Sequence, residues 1–124
     1  MNRAARFLAA AFLLGATAAS AGNITVQNLS SVTVPETRVY KTCLCACSAQ
    51  IFGSLAPGFS STQTRTSPVS GCVWAREIDP DRLYPNCSQN TVGIGLPDPS
   101  DPAQITVTWT GTTAANLSCT ITVN

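Results

Sequence analysis

Three cysteines at alternate positions place the strongest constraint on how this chain folds. Cys43, Cys45 and Cys47 lie within residues 39–47. If that segment is a strand, its side chains alternate between two faces, and all three thiols project from one face. Cα atoms two positions apart on a strand are separated by about 6.5 to 7 Å, at or beyond the comfortable span of a disulfide. The spacing therefore predicts that no two of these cysteines are bonded to each other.

Three further cysteines follow, at Cys72, Cys87 and Cys119. Six cysteines allow 15 pairings, and the strand restriction leaves six of them, in which each early cysteine bonds a different downstream one. A bond from Cys47 to Cys72 is favoured because these residues flank the same loop. A thiolate metal cluster is the competing interpretation, but the chain has no histidine and no matching C-x-C downstream of this segment. We therefore expect all six cysteines to form disulfides and no cofactor to be bound.

The first 21 residues have the three parts of a secretory signal peptide. A basic segment covers residues 1–6, an apolar run covers residues 7–15, and small residues end at Ala19-Ser20-Ala21. The apolar run is too short for a membrane-spanning helix, which needs about 20 residues. We expect cleavage after Ala21, which makes residues 22–124 a single secreted, extracellular domain with no membrane span in the mature chain. An exported chain of this size with six cysteines is typical of a disulfide-stabilised protein.

Alternation of polar and apolar residues predicts an all-β domain. The clearest case is the pair of segments 105–110 and 117–123, which a loop beginning at Gly111 would join as a hairpin. No segment has a helical period. Shorter segments with strand character are residues 22–28, 31–34, 39–47, 72–78 and 91–96. Seven short strands in about 100 residues favour a small disulfide-stabilised antiparallel β-sandwich, with a partly open β-barrel as the alternative.

Residues 48–71 are predicted to form a long, mostly irregular connection. Long loops are often functional, and Phe52, Leu55 and Phe59 in its first half are candidates for contact with a partner. The alternative is that these three side chains cover an open end of the core. Both tryptophans, Trp74 and Trp109, lie on apolar strand faces, which predicts that they are core residues.

The charge balance and the lack of histidine exclude several functions. After cleavage five basic and six acidic residues remain, which gives no basic surface for nucleic acid. Without histidine there is neither the usual base of a hydrolase triad nor an H-E-x-x-H zinc motif. The one cluster of carboxylates is Glu77, Asp79 and Asp81, and aspartates beside Pro80 are typical of a turn. We therefore expect a protein that is not an enzyme.

Two kinds of modification or ligand site remain as candidates. Carboxylate oxygens could bind calcium at Asp79 and Asp81 or at Asp98 and Asp101, although neither pair has the length or the glycine of a recognised calcium loop. Four asparagines occupy N-x-S/T sequences that would accept glycans in a eukaryotic secretory pathway. They are Asn23, Asn28, Asn86 and Asn116.

The sequence thus predicts a small secreted, cysteine-rich protein without catalytic activity. We expect an effector-like or surface-interaction protein that acts through its loops on an extracellular protein. The alternative is an extracellular glycan-binding module, with calcium as a possible aid. The residues do not identify the partner.

Overall fold

The computed structural model describes residues 22–45, 47, 49–78, 92–93, 95–96 and 101–124. Within these residues eight strands form two four-stranded sheets, and no α-helix is present. The strands are β1 Asn23–Asn28, β2 Thr37–Tyr40, β3 Gln50–Phe52, β4 Ser60–Thr64, β5 Cys72–Glu77, β6 Val92–Gly93, β7 Ile105–Thr110 and β8 Ser118–Val123. The prediction of an all-β sandwich is confirmed, because the two sheets do not close into a barrel.

The first sheet has the strand order β4-β1-β7-β8. Strand β1 pairs antiparallel with β4 and parallel with β7, and β7 and β8 form the predicted antiparallel hairpin. A single 3-10 turn, Ala114–Asn116, lies in the hairpin loop. Gly111 begins that loop with φ 135°, and a side chain there would press against the backbone of Asn116.

The second sheet has the order β3-β2-β5-β6 and is antiparallel throughout. Side chains of Val39, Val73 and Ala75 on its inner face meet those of Val26 and Val107 from the first sheet in one core cluster. Trp109, also fully buried, joins the two sheets through a polar contact, since its indole Nε1 donates to Thr37 Oγ1 at 3.0 Å.

Besides the cysteine segment, two predicted segments fold differently from expectation. Residues 48–71 are not a single loop, because they contain β3 and β4. Residues 31–34 are not a strand, because only Val34 is paired there, in an isolated bridge to Leu55. Strand β3 has three residues and β4 carries no apolar residue, so neither shows the alternation that predicts a half-buried strand.

Two glutamines link the edges of the sheets on the side where the chain crosses from β3 to β4. Gln50 Nε2 donates to Gln63 Oε1 at 3.0 Å and to the carbonyl oxygen of Thr64 at 2.9 Å. Gln63 Nε2 returns a bond to the carbonyl oxygen of Ile51 at 2.8 Å. These amides satisfy backbone groups that an edge strand would otherwise leave unpaired.

The outer face of the first sheet is uncharged and rich in threonine. Thr62, Thr25, Thr106 and Thr122 form one row across all four strands, and Thr25 and Thr62 share a hydroxyl hydrogen bond of 2.9 Å. β-Branched hydroxyl residues suit an exposed strand face, so sheet formation explains this surface. No helix in the described part of the chain has the length and apolar character needed to span a membrane.

Candidate binding surface

A groove lies at the end of the second sheet, beside the cysteine-rich segment. Its volume is about 330 Å³ and most of its lining is apolar. The lining residues are Lys41, Thr42, Leu44, Cys45, Cys47, Ser67, Pro68 and Ser70. The chain after β2 forms one wall and the chain before β5 forms the other.

The cysteine connectivity contradicts the prediction. Cys43 is bonded to Cys72, and Cys45 is bonded to Cys47, so two of the early cysteines do pair with each other. The favoured bond from Cys47 to Cys72 is therefore wrong, and so are all six predicted arrangements. Cys119 is also disulfide-bonded, as expected, whereas Cys87 lies outside the described residues.

The reason for this error is that the segment is not a strand. Strand β2 ends at Tyr40, and the next pairing is an isolated bridge between Thr42 and Ser70. The Thr42 hydroxyl then accepts a hydrogen bond from the backbone N–H of Leu44 at 3.1 Å, which turns the chain. The Cα atoms of Cys45 and Cys47 are consequently 5.2 Å apart, within the range of a disulfide.

Leu44 is the most exposed large apolar residue among those described. Its side chain is 87% exposed, and it lies between Cys43, which is bonded to β5, and Cys45, which closes a three-residue ring with Cys47. An exposed leucine alone is unremarkable. Here, however, two covalent bonds fix its backbone on both sides, so little conformational entropy remains to be lost when a partner covers it.

Lys41 is a buried cation in the wall of the same groove. It continues the inward-facing positions of Thr37 and Val39 past the end of β2, and only 2% of its surface is exposed. Its ammonium donates to Gln50 Oε1 at 2.9 Å and to Thr66 Oγ1 at 3.1 Å, both neutral acceptors. Burial, followed by the nearby positive charge of Arg65, lowers the pKa of Lys41.

Arg65 is a second buried cation at this end of the sandwich. Its guanidinium donates to the carbonyl oxygens of Ser67 at 3.2 Å and Asp101 at 2.9 Å. The same carbonyl of Asp101 accepts the N–H of Gly22, so Arg65 joins the start of β1 to the chain that enters β7. We interpret Arg65 as a structural residue, because these contacts explain its position.

The outer face of the second sheet carries a stacked aromatic pair. The rings of Tyr40 and Trp74 have centroids 4.0 Å apart and planes 13° from parallel. Trp74 Nε1 donates to the carbonyl oxygen of Thr42 at 2.7 Å, which places this pair next to the groove. Trp74 was predicted to be a core residue, and this is wrong, because the inner face of β5 carries Val73 and Ala75 instead. The same prediction for Trp109 is confirmed.

The candidates in the predicted partner-facing loop separate into two groups. Phe52 and Leu55 are buried in the core cluster and cannot meet a partner, whereas Phe59 is 64% exposed. Phe59 follows a tight turn in which its N–H donates to the Ala56 carbonyl at 3.1 Å, and Gly58 adopts φ 86°. The alternative interpretation, that these side chains cover the core, therefore applies to Phe52 and Leu55 only.

The predicted carboxylate sites are not brought together in the described residues. Asp79, Asp81 and Asp98 lie outside them. Asp101 caps a turn, since its Oδ1 accepts the N–H of Ala103 at 2.9 Å. Glu77 is fully buried on the inner face of β5. No group of three or more potential metal ligands occurs in the part of the chain that the structure describes.

The four predicted glycan acceptors differ in their surroundings. Asn28 is fully buried, and its Nδ2, the atom a glycan would modify, donates to the carbonyl oxygens of Val32 and Leu55. The fold therefore removes Asn28 from the candidates. Asn23 is partly exposed in β1, Asn116 is exposed in the hairpin loop, and Asn86 lies outside the described residues.

No protein-family model, curated protein or solved structure matches this chain. The functional argument therefore depends on the surfaces themselves. Sequence reasoning identified the cysteine segment but missed Leu44 as its exposed tip. The neighbouring Lys41 is the only lysine in the chain, and its position two residues after Val39 was the available signal that it faces inward.

Proposed function

We propose that this chain is a secreted, extracellular protein without catalytic activity that binds another protein through the loop carrying Leu44. Export by the N-terminal signal sequence would provide the oxidising compartment in which its disulfides form. Asn23 and Asn116 are then the described positions at which glycosylation is compatible with the fold. The observation that carries the proposal is the 87% exposure of Leu44 on a loop bonded on both sides.

Two properties of this loop are those of a binding hot spot. An apolar side chain that is exposed in the free protein and adjoins a concave, mostly apolar groove can bury a large area on association. The disulfides preorganise it, which reduces the entropy cost of binding. Pro68 in the opposite wall adds a rigid apolar surface to the groove.

Site-directed photocrosslinking in the native extracellular fluid tests the proposal. A photoreactive amino acid at position 44 is expected to form a discrete adduct with one partner. The same amino acid at Thr62, an exposed position on the outer face of the first sheet, is the matched control and is expected to form none. Circular dichroism and thermal melting would verify that both variants are folded.

Competition then identifies the role of Leu44 itself. Excess unlabelled wild-type protein should abolish the adduct. Excess Leu44→Asp should not, because burying an unpaired carboxylate in the interface costs binding free energy. A Cys45→Ser/Cys47→Ser double variant should compete less well than wild type while remaining folded. Equal adducts at positions 44 and 62, or full competition by Leu44→Asp, would refute the proposal.

A further inference from the structure

The outer face of the second sheet holds two arginines in direct opposition. Arg38 on β2 is paired in register with Arg76 on β5. Like charges directly opposite each other on one sheet face are destabilising. Glu36 relieves one of them, since its carboxylate accepts a hydrogen bond from Arg38 Nε at 2.6 Å. Arg76 has no carboxylate partner among the described residues, so Arg38, Arg76 and Glu36 together carry one excess positive charge.

The guanidinium of Arg76 is nevertheless held in place. Its Nε donates to the Tyr40 hydroxyl at 3.0 Å, and its Cζ lies 5.3 Å from the Tyr40 ring centre and 5.8 Å from that of Trp74. Tyr40 is itself 1% exposed and stacked on Trp74. The hydrogen bond uses Nε, and no described residue accepts a hydrogen bond from the two terminal nitrogens. A planar fork with both terminal N–H groups available is the geometry that binds a carboxylate in bidentate fashion.

We infer that Arg76, with Trp74 beside it and Arg38 opposite, forms a binding site for a carboxylate-bearing sugar of an acidic extracellular polysaccharide. The fork of Arg76 would hold the uronate carboxylate. The indole of Trp74 stacks on Tyr40 and is partly exposed, and its exposed part would contact the sugar ring. A glutamate or aspartate of a protein has the carboxylate but no ring to place against the indole, so the aromatic neighbour favours the sugar. This inference does not depend on the Leu44 loop.

Fluorescence titration with oligogalacturonate tests this site. Trp109 is fully buried, so a change on binding reports Trp74. Oligogalacturonate should bind, and its methyl ester, which has the same rings without the charge, should bind at least 10-fold more weakly. Arg76→Ala should reduce affinity at least 10-fold, and Arg76→Lys should reduce it nearly as much, because an ammonium has no bidentate fork. Added salt should weaken the complex.

Two controls and two other ligands decide between the outcomes. Thr106→Ala on the opposite sheet should bind like wild type, and Arg38→Ala should lose only a fewfold in affinity, because Glu36 already partners Arg38. Circular dichroism of each variant excludes unfolding as the cause. Equal binding of the methyl ester, or unchanged affinity in Arg76→Lys, would overturn the inference. Preference for a sulfated heparin oligosaccharide would overturn the carboxylate assignment, and preference for a glutamate oligomer would overturn the sugar assignment.

Discussion

Substitution of Asn28 tests how the fold satisfies its buried polar groups. The Asn28 amide makes four hydrogen bonds inside the sandwich. Its Nδ2 donates to the carbonyl oxygens of Val32 at 2.7 Å and Leu55 at 2.9 Å, and its Oδ1 accepts from the N–H and the hydroxyl of Ser30. In Asn28→Ala all four bonds are lost at a site with no solvent exposure.

The expected loss follows from what each partner retains. The Val32 carbonyl keeps the Ser30 hydroxyl, and the Leu55 carbonyl keeps the N–H of Val34. The Ser30 N–H loses the Asn28 Oδ1 acceptor, which costs about 1 to 3 kcal/mol, and the other three bonds contribute about 0.5 to 1.5 kcal/mol each. We expect Asn28→Ala to lower the free energy of unfolding by about 2.5 to 7.5 kcal/mol.

Asn28→Asp should be more damaging than Asn28→Ala at neutral pH. It places a carboxylate oxygen where Nδ2 now faces two carbonyl oxygens, and burial would raise the pKa of that acid in the folded protein. The unfolded chain then binds fewer protons than the folded one between the two pKa values, so stability falls as pH rises through that window. The difference in unfolding free energy between the Asp and Ala variants should therefore decrease as the pH is lowered towards about 4.

Urea unfolding followed by tryptophan fluorescence is the assay, since Asn28 lies opposite the buried Trp109 in the strand register. The adjacent Gln27→Ala is the control, because its side chain makes one partly buried bond, to Thr108 at 2.8 Å, and should cost about 1 kcal/mol. A loss in Asn28→Ala no larger than in Gln27→Ala would refute the reasoning. So would equal stability of the Asp and Ala variants at pH 7.

Three further outcomes are expected. Replacing Cys43 and Cys72 by serine should lower the free energy of unfolding by about 3 to 4 kcal/mol, because their bond closes a loop with a sequence separation of 29. Replacing Cys45 and Cys47 should lower it by less than about 2 kcal/mol, and urea unfolding measures both losses. Because the pKa of Lys41 is lowered in the folded protein, the unfolded chain binds more protons than the folded one between that pKa and about 10.4. The free energy of unfolding should therefore rise with pH in this alkaline window, and it should rise less in Lys41→Met. Amine-reactive reagents should modify Lys41 in urea but not in buffer, as peptide mass mapping would show, and rapid labelling in buffer would contradict its burial.

Three strands of the first sheet were predictable because they alternate, whereas β4 was not. In β1, β7 and β8 the inward residues are apolar except Asn28, and the residues between them are polar, so the period of two fixes both the element and its inner face. Strand β5 lacks that signal, because Cys72, Val73, Trp74 and Ala75 are consecutive apolar residues. The pattern therefore did not show which face of β5 is buried, that of Val73 and Ala75 or that of Cys72 and Trp74. Trp74 was placed on the wrong side for this reason.

The cysteine segment misled prediction for a related reason. An alternating pattern of cysteines has the period of a strand, but a period indicates a strand only when the alternation reflects burial on one face. Around Cys43 and Cys45 it does not, since both residues and Leu44 between them are exposed. The chain turns where the Leu44 N–H donates to the Thr42 hydroxyl, and threonine is too common in strands for that hydrogen bond to be foreseen.

The lengths of the strands explain where covalent bonds are needed. Strands of the first sheet have five or six residues, whereas β2, β3 and β6 have four, three and two. Short ladders provide few hydrogen bonds, and the Cys43–Cys72 disulfide ties the chain just after β2 to the start of β5, where the second sheet is weakest. The Cys45–Cys47 ring spans only two positions and so constrains the unfolded chain very little. Its main physical effect is on the shape of the exposed loop that it closes, so this disulfide bears more on the proposed binding by Leu44 than on stability.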